Sequence, residues 1–145
     1  MLRTVLAVSA IAVGVTVVAA QSDPIAARRA HMKEVGAQTK TGSGMAKGEI
    51  PYDQKKAEGI FAAYVKAGTD LPNLFPETSK TGGDTAALPA IWANKSDFDA
   101  RAAKFVSDAK QAQGAVKDLD TFKASFSTVT KDCGACHETY RAKKS

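Results

Sequence analysis

The residues best suited to chemistry lie near the C-terminus, in the stretch KDCGACHETYRAKKS. Cys133 and Cys136 are the two cysteines of the chain, and His137 directly follows the second one. This spacing allows a disulfide, a redox-active dithiol, part of a zinc site, or two attachment points for a c-type haem with its axial ligand. The predicted secondary structure around these residues indicates which of the four kinds of site is formed.

The cysteines and the histidine are predicted to lie on the core-facing side of a helix. Asp120 is expected to cap the start of this helix. The apolar positions that follow recur at helical spacing, which is typical of an amphipathic helix, and they are Phe122, Phe126, Val129, Cys133, Cys136, His137 and Tyr140. The chemical groups are therefore expected at the interior of a helical protein and not on a surface loop.

Three further amphipathic helices are predicted upstream. The first starts at Asp23, a side-chain cap followed by a proline, and is expected to break or weaken at TGSGM, residues 41–45. The second starts at Asp53. The start of the third is predicted from Ser96 and Asp99, which form a variant of the capping box.

A long connection, PNLFPETSKTGGDTAALP, separates the second and third helices and contains three of the five prolines. A loop of this length in a compact domain usually has a role, such as covering a ligand. Sustained alternation of period two is absent, so strands are not expected. The predicted fold is all-α, an antiparallel four-helix bundle, and such bundles build cofactor sites between facing helices.

Residues 1–20 are predicted to be a secretory signal peptide cleaved after Ala20, with an uncleaved membrane anchor as the alternative. Residues 21–145 then form one exported domain, expected in the periplasm without stable membrane insertion. Loss of Arg3 lowers the net charge from +5 to +4. With no basic tract, this charge gives no indication of nucleic-acid binding.

Haem attachment agrees best with this context. A thioredoxin-like dithiol needs strands and a cysteine at a helix N-terminus, and a structural zinc ion needs four ligands. Cysteines at i and i+3 of a regular helix are poorly placed for a disulfide. Two thiols on one helix face can add to the vinyl groups of a porphyrin while the adjacent imidazole reaches the iron. We predict one covalent haem c; an exported bundle with a packing disulfide and no haem is the alternative.

The chain resembles the cytochrome c prime family, the four-helix class II c-type cytochromes, over residues 21–145. The resemblance rests on a basic residue and a methionine four positions apart in the first helix and on three longer stretches. These are Arg28 with Met32, KGEIPYD, LFPETSKTGGDTAALPAIW and CGACHETYR.

The resemblance implies roles for the residues of the last helix. Cys133 and Cys136 would form the thioether bonds of a single haem c, and His137 would bind the iron on the proximal side. Arg141, one turn further on, matches an arginine of the family that tunes the histidine face.

The resemblance also implies residues around the haem edge. Arg28 matches an arginine near the haem propionates, and Asp84 lies in a loop that borders the haem edge in relatives. Arg29 stands where relatives often carry an amide side chain, so this chain departs from the family pattern at a position expected near the same edge.

Met32 divides the functions that the resemblance implies. In low-spin relatives a methionine here bonds the iron and leaves a six-coordinate electron carrier; elsewhere the position holds a non-ligating residue and the haem binds NO or CO. We expect a single-electron carrier with redox proteins as partners and no enzymatic activity, with gas binding as the alternative. Relatives often form homodimers, so a homodimer is a further expectation.

Overall fold

The computed structural model describes residues 23–143, so the predicted signal peptide lies outside the described residues. These residues form five α-helices and two short 3₁₀ turns, and within them no β-strand is formed. The helices are α1 (Pro24–Lys47), α2 (Gln54–Asp70), α3 (Ala90–Ala93), α4 (Lys95–Ala115) and α5 (Leu119–Tyr140), and the 3₁₀ turns span Leu71–Leu74 and Glu77–Ser79. No helix in this part of the chain combines the length and the apolar character needed to cross a membrane.

The four long helices form a closed ring in which each packs against two neighbours. The contacts run from α1 to α2, α2 to α4, α4 to α5, and α5 back to α1. Short connections make α1 and α2, and α4 and α5, antiparallel. At the start of α2, Gln54 Nε2 donates to the Val116 carbonyl at the end of α4 (2.8 Å), so α2 and α4 are antiparallel as well. The predicted antiparallel four-helix bundle is confirmed.

Side-chain caps start three of the helices. Asp23 accepts a hydrogen bond from the Ile25 amide (2.9 Å) and Asp53 from the Lys56 amide (2.8 Å), which confirms two predicted starts. The expected cap of α5 was wrong, because Asp118 and not Asp120 occupies that position. Asp118 and Thr121 form a reciprocal capping box there, which satisfies two backbone amides instead of one.

The predicted start of α4 was also wrong. Ser96 and Asp99 lie inside the helix, which begins at Lys95 because the Asn94 carbonyl already accepts the first helical hydrogen bond, from the Phe98 amide (3.0 Å). Asp99 instead pairs with Lys95 one turn earlier (2.5 Å). The short helix α3 runs directly into α4, so no separate side-chain cap is present at the junction.

The expected break in α1 does not occur, because the glycines of residues 41–45 allow close packing. A Cβ on Gly42 would lie 2.4 Å from the Phe126 ring, and one on Gly44 would lie 2.7 Å from Ile50. The helix continues to Lys47 and ends at Gly48, which has a φ of 78°. Glycine adopts this left-handed conformation without the steric strain that a Cβ would cause.

Two hydrophobic cores occupy the bundle. The larger lies among α1, α2, α4 and α5 and includes Phe61, Tyr64 and Phe122, all fully buried. The smaller consists of Phe75, Ile91, Phe98 and Tyr140, beneath the connection between α2 and α4. Segments 86–88 and 140–142 fix that connection, since the Leu88 amide donates to the Tyr140 carbonyl (3.0 Å) and the Ala142 amide to the Ala86 carbonyl (2.8 Å).

Candidate functional site

Two adjoining cavities lie at the end of the bundle where the connection packs. The larger has a volume of about 170 Å³ and the smaller about 60 Å³. Four residues line both cavities and so mark the boundary between them: Met32, Leu71, Cys136 and His137. Most of the remaining lining is apolar, with a few polar groups, which is the composition of a cofactor pocket.

Helix α5 presents its chemical groups to these cavities. Cys133 lines the smaller cavity, while Cys136 and His137 line both. Positions i, i+3 and i+4 share one helix face, so the regular helix from Leu119 to Tyr140 holds all three side chains on one side. Both thiols are free and half-buried.

The surroundings of the thiols make them poor redox groups. Burial raises the pKa of Cys133, and the carboxylate of Asp132 raises it further. Burial also raises the pKa of Cys136, although the cation of Arg101 opposes this. A redox-active dithiol needs a lowered thiol pKa, so these surroundings are not those of a redox pair.

The surroundings of His137 favour the neutral form of its imidazole. Burial lowers the pKa of His137, and the nearby cation of Arg141 lowers it further. A neutral imidazole has a nitrogen lone pair free to bind a metal. Within residues 23–143, no group of three or more His, Cys, Asp or Glu side chains is placed to hold a metal ion.

Met32 reaches the cavities from the opposite helix. It lies on α1, is half-buried, and borders the same two cavities as His137 on α5. Met45, on the same helix, is fully buried in the larger core instead. His31 points away, and its Nε2 lies 3.5 Å from Asp70 Oδ2.

Arg28 lies in the wall of the larger cavity and is only 5% exposed. Its guanidinium donates to the Leu74 carbonyl (3.0 Å), to Ser79 Oγ and Ser79 O (2.9 Å each), and to Thr85 Oγ1 (2.6 Å). It also lies 4.7 Å from the centre of the Phe75 ring. Burial lowers the pKa of Arg28, with Asp23 opposing the shift. The buried cation is hydrogen-bonded but has no carboxylate within salt-bridge distance among the described residues.

The remaining predicted edge residues lie around the mouth of the larger cavity. Arg29 and Arg141 line it, and Asp84 does not. Asp84 instead pairs with Arg29 (3.1 Å), with both side chains largely exposed. The structure therefore brings Asp84 to the cavity edge through Arg29, a pairing that sequence reasoning did not foresee.

Sequence reasoning missed two polar residues of the smaller cavity, Arg101 and Asp132. Arg101 Nη1 donates to the Ala135 carbonyl (2.5 Å) and Nε to Asp97 (2.8 Å), so it braces α5 beside the cysteines. The only available signal was the i, i+4 spacing with Asp97, which also occurs in ordinary surface pairs.

These residues fit a covalently bound haem c. The thiols and the imidazole share one helix face, the sulfur-containing side chain of Met32 lies on the facing helix, and the lining between them is mainly apolar. The buried guanidinium of Arg28 supplies a positive charge to which an acidic substituent of the macrocycle is suited.

Comparison with known proteins gives one consistent result. The profile of the family described as Cytochrome C′ matches residues 23–141. Cytochrome c′ of Rhodopseudomonas palustris is 47% identical over 126 residues, covering 87% of this chain and 86% of that protein. Cytochrome c-556 of the same organism is 35% identical over 148 residues, covering 99% of each.

Solved structures agree with the sequence matches. Cytochrome c′ from Rhodopseudomonas palustris superposes with a TM-score of 0.83 at 46% identity, covering 86% of this chain and all of that one. An NMR-validated structural model of oxidised R. palustris cytochrome c556 gives 0.79 at 34% identity, with coverage of 86% and 100%.

Proposed function

We propose that this chain, which belongs to the cytochrome c′ family, carries single electrons in the periplasm. Proteins of this family bind haem c covalently and act as electron carriers or bind gases. The observation that carries the electron-carrier proposal is the placement of Met32 and His137, which come from facing helices and line the same two cavities.

Five residues would hold the haem. Cys133 and Cys136 would form the two thioether bonds, His137 and Met32 would bind the iron, and Arg28 would offer its guanidinium to a propionate. Bound there, haem c supplies a one-electron couple whose potential a methionine and histidine pair raises relative to other ligand sets.

The protein's own contribution is a rigid and mainly apolar enclosure. Phe75 and Phe98 pack edge to face (4.8 Å between ring centres), as do Phe98 and Tyr140 (5.3 Å). The Tyr140 hydroxyl donates to Asp97, which satisfies the polar end of this buried ring. Because the ligands lie on packed helices and not on loops, they need to move little when the charge of the site changes.

Gas binding is the second candidate function. The specific observation in its favour is that Met32 is half-buried and borders the larger cavity together with Leu71 and Phe75. Methionine is flexible and unbranched, so the side chain can lie against these apolar groups without binding iron. The vacant position would then be open to NO or CO.

Optical and electron paramagnetic resonance spectra of the purified protein distinguish the two functions. Ligation by Met32 gives a low-spin ferric haem with a sulfur-to-iron charge-transfer band in the near infrared, and the reduced protein then binds no CO at neutral pH. Met32→Ala should then become high-spin and bind CO. Met45→Ala is the matched control, since it removes a methionine of the same helix from the larger core and should leave the spectrum unchanged. A wild-type protein that is high-spin and binds CO would establish the gas-binding function instead.

A further inference from the structure

Asp132 has a carboxylate oxygen that the folded chain leaves unsatisfied. The residue precedes Cys133 on α5, and its side chain is only 12% exposed. Lys104 Nζ donates to Oδ1 (2.9 Å), whereas Oδ2 is buried without a hydrogen-bond partner within residues 23–143. An unsatisfied buried polar atom costs free energy, so a structural role alone does not account for it.

The position of Asp132 relates this charge to the candidate haem site. The residue lines the smaller cavity, together with Met32 and His137. An anion in the wall of a mainly apolar cavity acts strongly on other charges there, because little water is present to screen it.

Lys104 neutralises this anion only in part. Its side chain is 61% exposed, and its ammonium is shared with Asp108, which lies 2.5 Å away. Hydrogen bonds to Asp108 and Asp132 raise the pKa of Lys104, so it is a cation. One exposed cation therefore serves two carboxylates, of which Asp132 alone lines a cavity.

We propose that the carboxylate of Asp132 lowers the reduction potential of the haem, with Lys104 as a partial counter-charge. The inference rests on the proposed electron-carrier function. One-electron reduction, with the electron supplied by a redox partner protein, would lower the positive charge of the iron by one. A nearby fixed anion stabilises the oxidised form more than the reduced form, so it disfavours reduction.

A purely structural pair makes a different prediction. Lys104 lies on α4 and Asp132 on α5, so their contact also joins two helices. If the ion pair only joined the helices, loss of Lys104 or of Asp132 would lower the unfolding temperature. The two losses would not then shift the reduction potential in opposite directions. Asp108 provides the matched control, since it binds the same lysine but lines neither cavity. The pKa of Asp108 is lowered by its hydrogen bond with Lys104 and in part by one with Asp132.

The test is a mediated spectroelectrochemical titration at pH 7 of the purified holoprotein and three variants. Asp132→Asn should favour reduction by about tenfold in the equilibrium constant, which corresponds to about 59 mV for a one-electron couple. Lys104→Gln should shift the potential in the opposite direction, and Asp108→Asn should shift it by less than half as much as Asp132→Asn.

Several outcomes overturn the inference. Equal potentials in wild type and Asp132→Asn would do so, as would equal shifts in Asp132→Asn and Asp108→Asn. If Asp132→Asn does not accumulate with haem, the sign of the Lys104→Gln shift decides, and a rise in potential contradicts the proposal. A wild-type protein without a reversible one-electron couple would refute the electron-carrier function itself, whereas a normal couple with an unchanged Asp132→Asn refutes only the role of Asp132.

Discussion

Arg28 donates twice to Ser79, through Nη1 to the hydroxyl and through Nη2 to the carbonyl, each at 2.9 Å. The two residues are 51 positions apart in the chain, so these bonds fix the connection between α2 and α4 to the first helix. Since the connection carries Phe75, which packs under the guanidinium, Arg28 holds one wall of the larger cavity as well as facing it.

Arg28→Met should therefore destabilise the protein more than the same substitution of an exposed arginine. The substitution leaves the acceptors at Leu74, Ser79 and Thr85 without their donor, and we expect the free energy of unfolding to fall by about 2–4 kcal/mol. Arg29→Met removes only the exposed pair with Asp84 and should cost less than about 1 kcal/mol. Urea unfolding followed by circular dichroism measures both, and equal losses in the two variants would contradict the role of Arg28 in fixing the connection to α1.

Covalent attachment is tested by the intact mass under denaturing, reducing conditions. Protein from a host with haem-maturation machinery should have the mass of a chain beginning at Gln21 plus one haem. Cys133→Ala with Cys136→Ala should lack covalent haem and unfold less cooperatively, because the cavity walls lose the burial that the haem supplies, up to about 1.5–3 kcal/mol for each large apolar side chain. A bare polypeptide mass for the wild type would contradict the attachment.

Tyr64 should make the folded protein sensitive to alkaline pH. Its phenol is fully buried and shares a hydrogen bond with Thr39 (2.7 Å). Burial raises the pKa of Tyr64 from 10.0 to about 12. The folded state therefore binds more protons than the unfolded state between these values. The contribution of Tyr64 to the free energy of unfolding is complete below pH 10 and is lost as the pH rises towards 12.

The loss from this residue should reach about 2–3 kcal/mol, since one pKa unit corresponds to about 1.4 kcal/mol. Tyr64→Phe should remove this part of the alkaline decline, and Thr39 keeps the Val35 carbonyl as acceptor (2.7 Å), so no donor is orphaned. Denaturation midpoints measured across this pH range provide the comparison. An unchanged alkaline slope in Tyr64→Phe would show that other groups cause the decline.

The helices were predictable because their buried residues recur at helical spacing and because Asp23 and Asp53 cap them locally. Errors arose where the deciding contact depends on packing or on hydrogen-bond geometry. Gly42 and Gly44 look like helix breakers until their neighbours on other elements, Phe126 and Ile50, are known. The start of α5 was misplaced by two residues, because Asp118 and Asp120 both precede the apolar series and the choice depends on Thr121.

The candidate site was predictable where residues share one helix and less so where separate elements meet. The C-x-x-C-H spacing identified α5, and the family resemblance supplied Arg28 and Met32. The partners of Arg28 lie in the connection between α2 and α4, two of them in short 3₁₀ turns, and no sequence pattern indicated them. Asp132 carried no signal either, since an aspartate on an amphipathic helix is usually solvated.

The contact of Gly42 with Phe126 has a mechanical consequence. The two helices touch without room for a methyl group there, so this contact sets how closely α1 and α5 approach each other. Met32 lies ten residues from Gly42 and His137 eleven from Phe126, which at the rise of an α-helix is about 15 Å and 17 Å. The two candidate ligands thus lie at nearly equal distances along their helices from this contact, so a side chain added at Gly42 would change the separation of Met32 and His137 as well as the local packing.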